Sequence, residues 1–149
     1  LPLGFTEASP SDIEAISSIT HAHATSVEAC QLYVDIARRL LKGQQLSEIL
    51  SGLETSKTYA RLQTLAELTE DDIRSSGYVV DTLEAALWCL LTSTSYPETI
   101  LKAVNLGDDT DTVAAVAGGL AGIIYGLEGI PDNWLAQLRN KELLESCLF

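Results

Sequence analysis

Gly107-Asp108-Asp109-Thr110-Asp111-Thr112, followed without a break by the small apolar run Val113 to Leu127, is the stretch on which the reading of this chain turns. Three carboxylates and two hydroxyls fall within five residues. Acids packed this closely repel one another and call for a compensating cation or for full solvation. The run beside them is too apolar for a solvated surface. Asp and Thr oxygens are hard ligands, so the cation they suit is Mg²⁺ or Mn²⁺ rather than zinc. Helix capping is the competing role, because Asp and Thr accept from free N–H groups and complement the helix dipole. A cap needs one such residue, however, and not three acids. An EF-hand is excluded: its loop needs Gly at the sixth and Glu at the twelfth position, and counting from Asp109 those places hold Ala114 and Leu120. So few carboxylates do not complete a metal's coordination sphere, which leaves room for water, substrate or ligands from elsewhere.

Working outward, Val113 to Leu127 predicts a helix. Ala114, Gly118, Gly122 and Gly126 recur at spacing four on one stripe, a Gly-x-x-x-Gly pattern. The apolar run has 15 residues, short of the roughly 20 that cross a bilayer. Close helix packing in a soluble core is the better account. Each helical glycine costs about 1 kcal/mol relative to alanine, and backbone-to-backbone approach around a rigid site is expected to offset it. Upstream, Val80 to Leu91 is apolar nearly all round and predicts a central buried helix. Pro97 opens a helix ending near Gly107, and Pro131 opens a C-terminal pair.

Ser9-Pro10-Ser11-Asp12 reads as a helix start. Val27, Leu32, Ile36, Leu40 and Leu41 predict a helix from Thr25 to Lys42 that stops at Gly43. Leu46 to Gly52 and Thr58 to Leu68 predict shorter helices, and Thr69-Glu70-Asp71-Asp72 a brief capped turn. No segment alternates at period two, so β structure is not expected. The fold class is all-α, with residues 1–149 forming one domain or part of one and no internal repeat. Ser51 to Lys57 is too short to separate domains.

The net charge of −12 excludes a nucleic-acid backbone or an anionic membrane as partner. A 46% hydrophobic fraction is ample for a core. Cys30, Cys89 and Cys147 are odd in number and lack zinc or redox spacing. They read as small buried hydrophobes whose reduced thiols suit the cytoplasm. No Gly-x-Ser-x-Gly elbow or P-loop is present, so serine hydrolase and nucleoside triphosphatase readings lack support. The acidic run Glu67 to Asp72 reads as a solvated face, and Trp88 and Trp134 as packing residues.

Ser76-Gly77-Tyr78-Val79-Val80-Asp81-Thr82-Leu83-Glu84-Ala85-Ala86-Leu87-Trp88, then Ala103-Val104-Asn105-Leu106 leading into the acidic box and its small-residue helix, resemble the ADP-ribosylglycohydrolase family. Thr20-His21-Ala22-His23 and Leu1-Pro2-Leu3-Gly4 fit the same pattern. The resemblance runs over nearly the whole chain. It implies a compact multi-helix orthogonal bundle and a metal-dependent hydrolase. Such an enzyme cleaves the glycosidic bond between ADP-ribose and an acceptor, using a pair of Mg²⁺ or Mn²⁺ ions. It assigns Asp109, Asp111 and Thr112 as metal ligands, with Asp108 behind them, and His21, Gly77 and Tyr78 as lining the ADP-ribose pocket. For Tyr78 a plain core aromatic is the alternative. His23 reads as a partly buried histidine with one satisfied hydrogen bond. Joint zinc binding by His21 and His23 is disfavoured, because residues two apart on a helix point to different sides.

Family members are about twice as long and carry a second metal box, Thr-Asp-Asp, near their N-terminus. None occurs here, and Thr69-Glu70-Asp71-Asp72 sits in the wrong place. The chain also contains no Met. The expectation is a C-terminal half, inactive alone, whose partner is the N-terminal half holding the remaining ligands and the acid/base. A non-catalytic ADP-ribose-binding or structural relative is the alternative. A metal-stabilised helical module, using the glycine stripe as an interface, is the third reading.

Overall fold

A computed structural model describes residues 1–147, and every regular element among them is helical. The α-helices are α1 (Pro10–Ser18), α2 (Ala24–Leu41), α3 (Leu46–Ser51), α4 (Val79–Leu91), α5 (Tyr96–Asn105), α6 (Thr110–Tyr125), α7 (Asp132–Gln137) and α8 (Lys141–Cys147). Short 3₁₀ segments occupy Pro2–Phe5, Glu70–Asp72 and Leu127–Gly129, and a longer one runs from Lys57 to Glu67. Among the described residues, no helix is long and apolar enough to cross a membrane.

The central helix is α4. Every residue from Thr82 to Leu90 is buried, as its all-round apolar pattern predicts. It packs against α2, α5, α6 and the Lys57–Glu67 segment, so the core forms around it. Its Trp88 indole N–H donates to the Leu68 carbonyl at 3.0 Å, and the Lys102 ammonium lies 5.3 Å from that ring's centre. Start and stop signals act as the sequence indicates. Ser9 caps α1 through a reciprocal box with Asp12, and Gly43 leaves α2 in the left-handed region at φ 79°.

Three expectations are corrected. Thr58 to Leu68 is not an α-helix but a 3₁₀ segment of 11 residues, Lys57–Glu67. Its buried residues, Tyr59, Leu62 and Leu65, recur every third position and are each 0% exposed. A three-residue turn stacks i and i+3 on one line, so this spacing selects the tighter helix. Second, the helix expected from Val113 begins at Thr110, which draws the acidic box into its first turn. Third, the glycines of α6 do not admit a neighbouring backbone. A Cβ on Gly118 would lie 3.0 Å from Ile100 Cδ1 of α5, and one on Gly119 only 2.7 Å from the Tyr33 hydroxyl of α2. One on Gly122 would meet nothing within 4 Å. Side chains fill the notch, and its tightest point, Gly119, lies off the stripe of period four.

Cys89 is fully buried, and burial pushes its thiol up to about 12 against a smaller downward pull from Lys102. Cys30 is half-buried. Cys147 is exposed, against expectation, because α8 buries none of its residues. Trp134 packs edge-on against Tyr96, with ring centres 6.5 Å apart.

Candidate functional site

The site begins at the entry to α4. Tyr78 is the residue before the helix, and its side chain does not cap it. Ser76 organises the turn instead. Its hydroxyl donates to Asp81 Oδ2 at 2.6 Å and accepts from the Tyr78 N–H at 3.2 Å. Its carbonyl accepts from the buried Thr82 hydroxyl at 3.0 Å. The loop from Ser75 to Tyr78 is thus rooted in the first turn of the most buried helix.

Against this loop lies the segment leading into α6. Gly107 and Asp108 are both left-handed, at φ 91° and 51°. Asp109 then takes the N-cap position, and its carbonyl receives the Val113 N–H at 3.1 Å. Its carboxylate does not cap the helix. Oδ1 receives the Thr112 hydroxyl at 2.8 Å, while Oδ2 faces Gly77, on which a Cβ would come within 3.1 Å. The capping role considered for this box is therefore not what Asp109's side chain performs. Asp111 and Thr112 follow on the exposed side of the first turn, and Asp108 is exposed as well.

This donor set fits a hard divalent cation in kind. Asp109, Asp111 and Thr112 present oxygens from one helical turn, and a hydroxyl donating to a carboxylate keeps its own lone pairs for ligation. In number it does not close a site. Among the described residues, no three His, Cys, Asp or Glu side chains converge as a metal group.

The remaining candidates fall around this centre unequally. Tyr78 is 56% exposed, which overturns the alternative of a plain core aromatic. Gly77, next to Tyr78 in the loop, faces the Asp109 carboxylate. His21 lies on a different segment, exposed between α1 and α2, with its N–H donating to the Ser17 carbonyl at 2.8 Å. No hydrogen bond among the described residues joins it to Tyr78 or to the acids. Near it, the buried Tyr59 hydroxyl donates to the Thr25 carbonyl in the first turn of α2 at 2.8 Å. Burial raises the Tyr59 phenol first, then the charges of Glu28 and nearby Tyr78. His23 is exposed rather than partly buried. The one hydrogen bond of its side chain among the described residues is a helix cap, with Nδ1 accepting the Thr25 N–H at 3.2 Å.

Sequence reasoning missed an apolar cavity of about 360 Å³ that opens beside Thr112 between α2, α4 and α6. Ala29, Cys30, Tyr33, Leu83 and Val116 line it. Nothing in the sequence marks it, because its walls come from segments far apart in the chain. A second cavity, of about 430 Å³, lies at the far ends of α4 and α6, near Leu91 and Tyr125.

The ADP-ribosylglycohydrolase family model matches residues 1–148. The chain belongs to the ADP-ribosylglycohydrolase family. It is 41% identical over 126 residues to ADP-ribosylarginine hydrolase Tri1 of Pseudomonas putida (strain GB-1), covering 82% of this chain and 34% of that protein. It is 30% identical over 142 residues to the ADP-ribosyl-[dinitrogen reductase] glycohydrolase of Rhodospirillum rubrum, covering 89% and 45% of the two. A solved structure, an ADP-ribosylglycohydrolase-related protein complex, superposes with a TM-score of 0.81 at 30% identity, over 97% of this chain and 53% of that one. The chain therefore spans between a third and about half of the length of these relatives.

Proposed function

We propose that the full-length protein is a metal-dependent hydrolase that releases ADP-ribose from an acceptor, and that this chain forms the C-terminal part of its site. One observation carries the reading: Asp109 stands at a helix N-cap, yet its carboxylate caps no backbone N–H and lies between the Thr112 hydroxyl and Gly77. A carboxylate in that pose is available to a ligand rather than to its own backbone. The names of the relatives support the bond that is cleaved.

In this reading Asp109, Asp111 and Thr112 hold one side of a Mg²⁺ or Mn²⁺ pair. When bound, the ions supply the positive charge that draws ribose hydroxyls and a water together. Tyr78 and Gly77 border the ADP-ribose, with His21 reaching it from the α1–α2 turn. The acidic box stabilises the oxocarbenium-like sugar as the glycosidic bond breaks at the anomeric carbon. Further acidic ligands and the proton-transferring carboxylate come from an upstream half of the same protein. In this reading that half would cover the apolar cavity beside Thr112. The free thiols suit a reducing cytoplasm.

Calorimetric titration of the full-length protein with Mn²⁺ tests the assignment. Asp109→Asn and Asp111→Asn each remove a charged oxygen and should weaken binding sharply, whereas Asp108→Asn should do so far less. Equal losses at all three positions would sink the ligand set.

A further inference from the structure

The Asp109 carboxylate is held by Thr112 of its own helix, but the backbone that carries it there is fixed from outside that helix. Two consecutive left-handed residues, Gly107 and Asp108, bring the chain into α6 without support from any regular element. Ser75 grips this segment at both ends. Its hydroxyl donates to the Gly107 carbonyl at 3.0 Å, and its carbonyl accepts the Asp109 N–H at 3.0 Å. Asp108 is the residue bridged over. Ser75 is 4% exposed, so neither bond is exchanged readily for water. Its neighbour Ser76 is tied to Asp81 and Thr82 of α4, so the grip is anchored in the core. Two residues on, bare Gly77 forms the wall against which Oδ2 rests.

We propose that Ser75 is the positioning residue of the acidic loop, setting the pose in which Asp109 meets a divalent cation. The inference rests on Asp109 being a metal ligand, as proposed above. The side-chain hydroxyl is the part that matters: among the described residues it is what the Gly107 carbonyl bonds, and Gly107 sets the direction in which the chain reaches Asp109. Groups that orient a metal ligand from behind commonly change affinity as strongly as a weak ligand does. The same contact also joins the loop bearing Tyr78 to the loop bearing the acids.

The experiment is a calorimetric Mn²⁺ titration of the full-length protein without ADP-ribose, with thermal unfolding of the metal-free protein in parallel. Ser75→Ala should weaken Mn²⁺ binding by about tenfold or more. Ser75→Thr, which keeps the hydroxyl, should restore affinity to near that of the parent. Should Ser75→Ala not fold, Ser75→Cys keeps the volume, weakens the donor and should show the same loss. Unchanged Mn²⁺ affinity in Ser75→Ala, with or without a lower unfolding temperature, would overturn the proposal in favour of a purely structural serine. Equal weakening in the Ala and Thr variants would overturn it too, because packing rather than the hydroxyl would then be responsible. Asp109→Asn is the reference: if it binds Mn²⁺ like the parent, the ligand assignment itself falls and takes this inference with it.

Discussion

Gly119 and Gly122 lie in the same helix and should respond to alanine with opposite signs. Alanine in a helix interior is favoured over glycine by about 1 kcal/mol. At Gly122 a Cβ meets nothing within 4 Å, so Gly122→Ala should raise stability by roughly that amount. At Gly119 the new methyl would sit 2.7 Å from the Tyr33 hydroxyl and 3.0 Å from Leu1 Cδ2. That hydroxyl is not free to retreat. It donates to the Val116 carbonyl at 2.9 Å and is buried enough to push its phenol up to about 12. Displacing it forfeits a hydrogen bond worth about 1 kcal/mol, and overpacking adds about 1–3 kcal/mol. After the propensity gain, Gly119→Ala should destabilise by about 1–3 kcal/mol. Equilibrium urea unfolding measures both variants. Tyr33→Phe removes the clashing atom, so in that background the Gly119→Ala penalty should shrink by about 1 kcal/mol or more. Equal stabilities for the two alanine variants, or additivity with Tyr33→Phe, would refute the account of how α6 packs.

Two further outcomes follow. Tyr78→Ala and His21→Ala should weaken ADP-ribose binding by about tenfold each while leaving Mn²⁺ affinity nearly unchanged; loss of metal and fold in parallel would show them to be structural. Arg61→Ala should destabilise in a pH-dependent way. The Glu84 carboxylate is 8% exposed and sits 3.4 Å from the half-exposed guanidinium of Arg61. Burial raises the Glu84 carboxyl above its ordinary 4.5, Arg61 pulls it down and Asp81 adds to the rise. Its contribution is thus favourable below the unfolded value and is lost as pH rises through the folded one. Removing Arg61 extends that loss upward. Urea unfolding should show a small effect near pH 4 and about 1–2 kcal/mol near pH 7, below the full cost of breaking a buried pair because Arg61 is half in water.

Much of the fold was legible because burial and periodicity coincide. The apolar continuity of Val80 to Leu91 announces a central helix, and Ser9, Gly43 and Pro97 mark helix ends by chemistry that acts locally. The Lys57–Glu67 segment misled only in its helix type, although Tyr59, Leu62 and Leu65 already displayed the three-residue spacing of the tighter turn. The glycines of α6 misled for a different reason. A stripe of small residues states that something comes close, but whether it is a backbone, a tyrosine hydroxyl or nothing depends on which helix lies opposite. The acidic box, Gly77 and Tyr78 were readable as motifs. The grip of Ser75 was not, since it joins residues 32 positions apart through one hydroxyl, and serine in a loop carries no mark of its partner. The cavity by Cys30 was invisible for the same reason: its walls come from Leu1 and three helices, and none of them looks unusual alone.

The left-handed backbone at Asp108 bears on how acidic runs should be counted. Among residues with a side chain, Asn and Asp adopt that conformation most readily. The acid at position 108 thus answers a demand of shape before one of charge, and a run of acids is an upper bound on the donors it delivers. Asn or Gly at this place would keep the turn, whereas a β-branched residue would break it. Position 108 is then where the loop can shed one negative charge without breaking the turn that leads to Asp109. A substitution there changes the field around the site independently of its geometry.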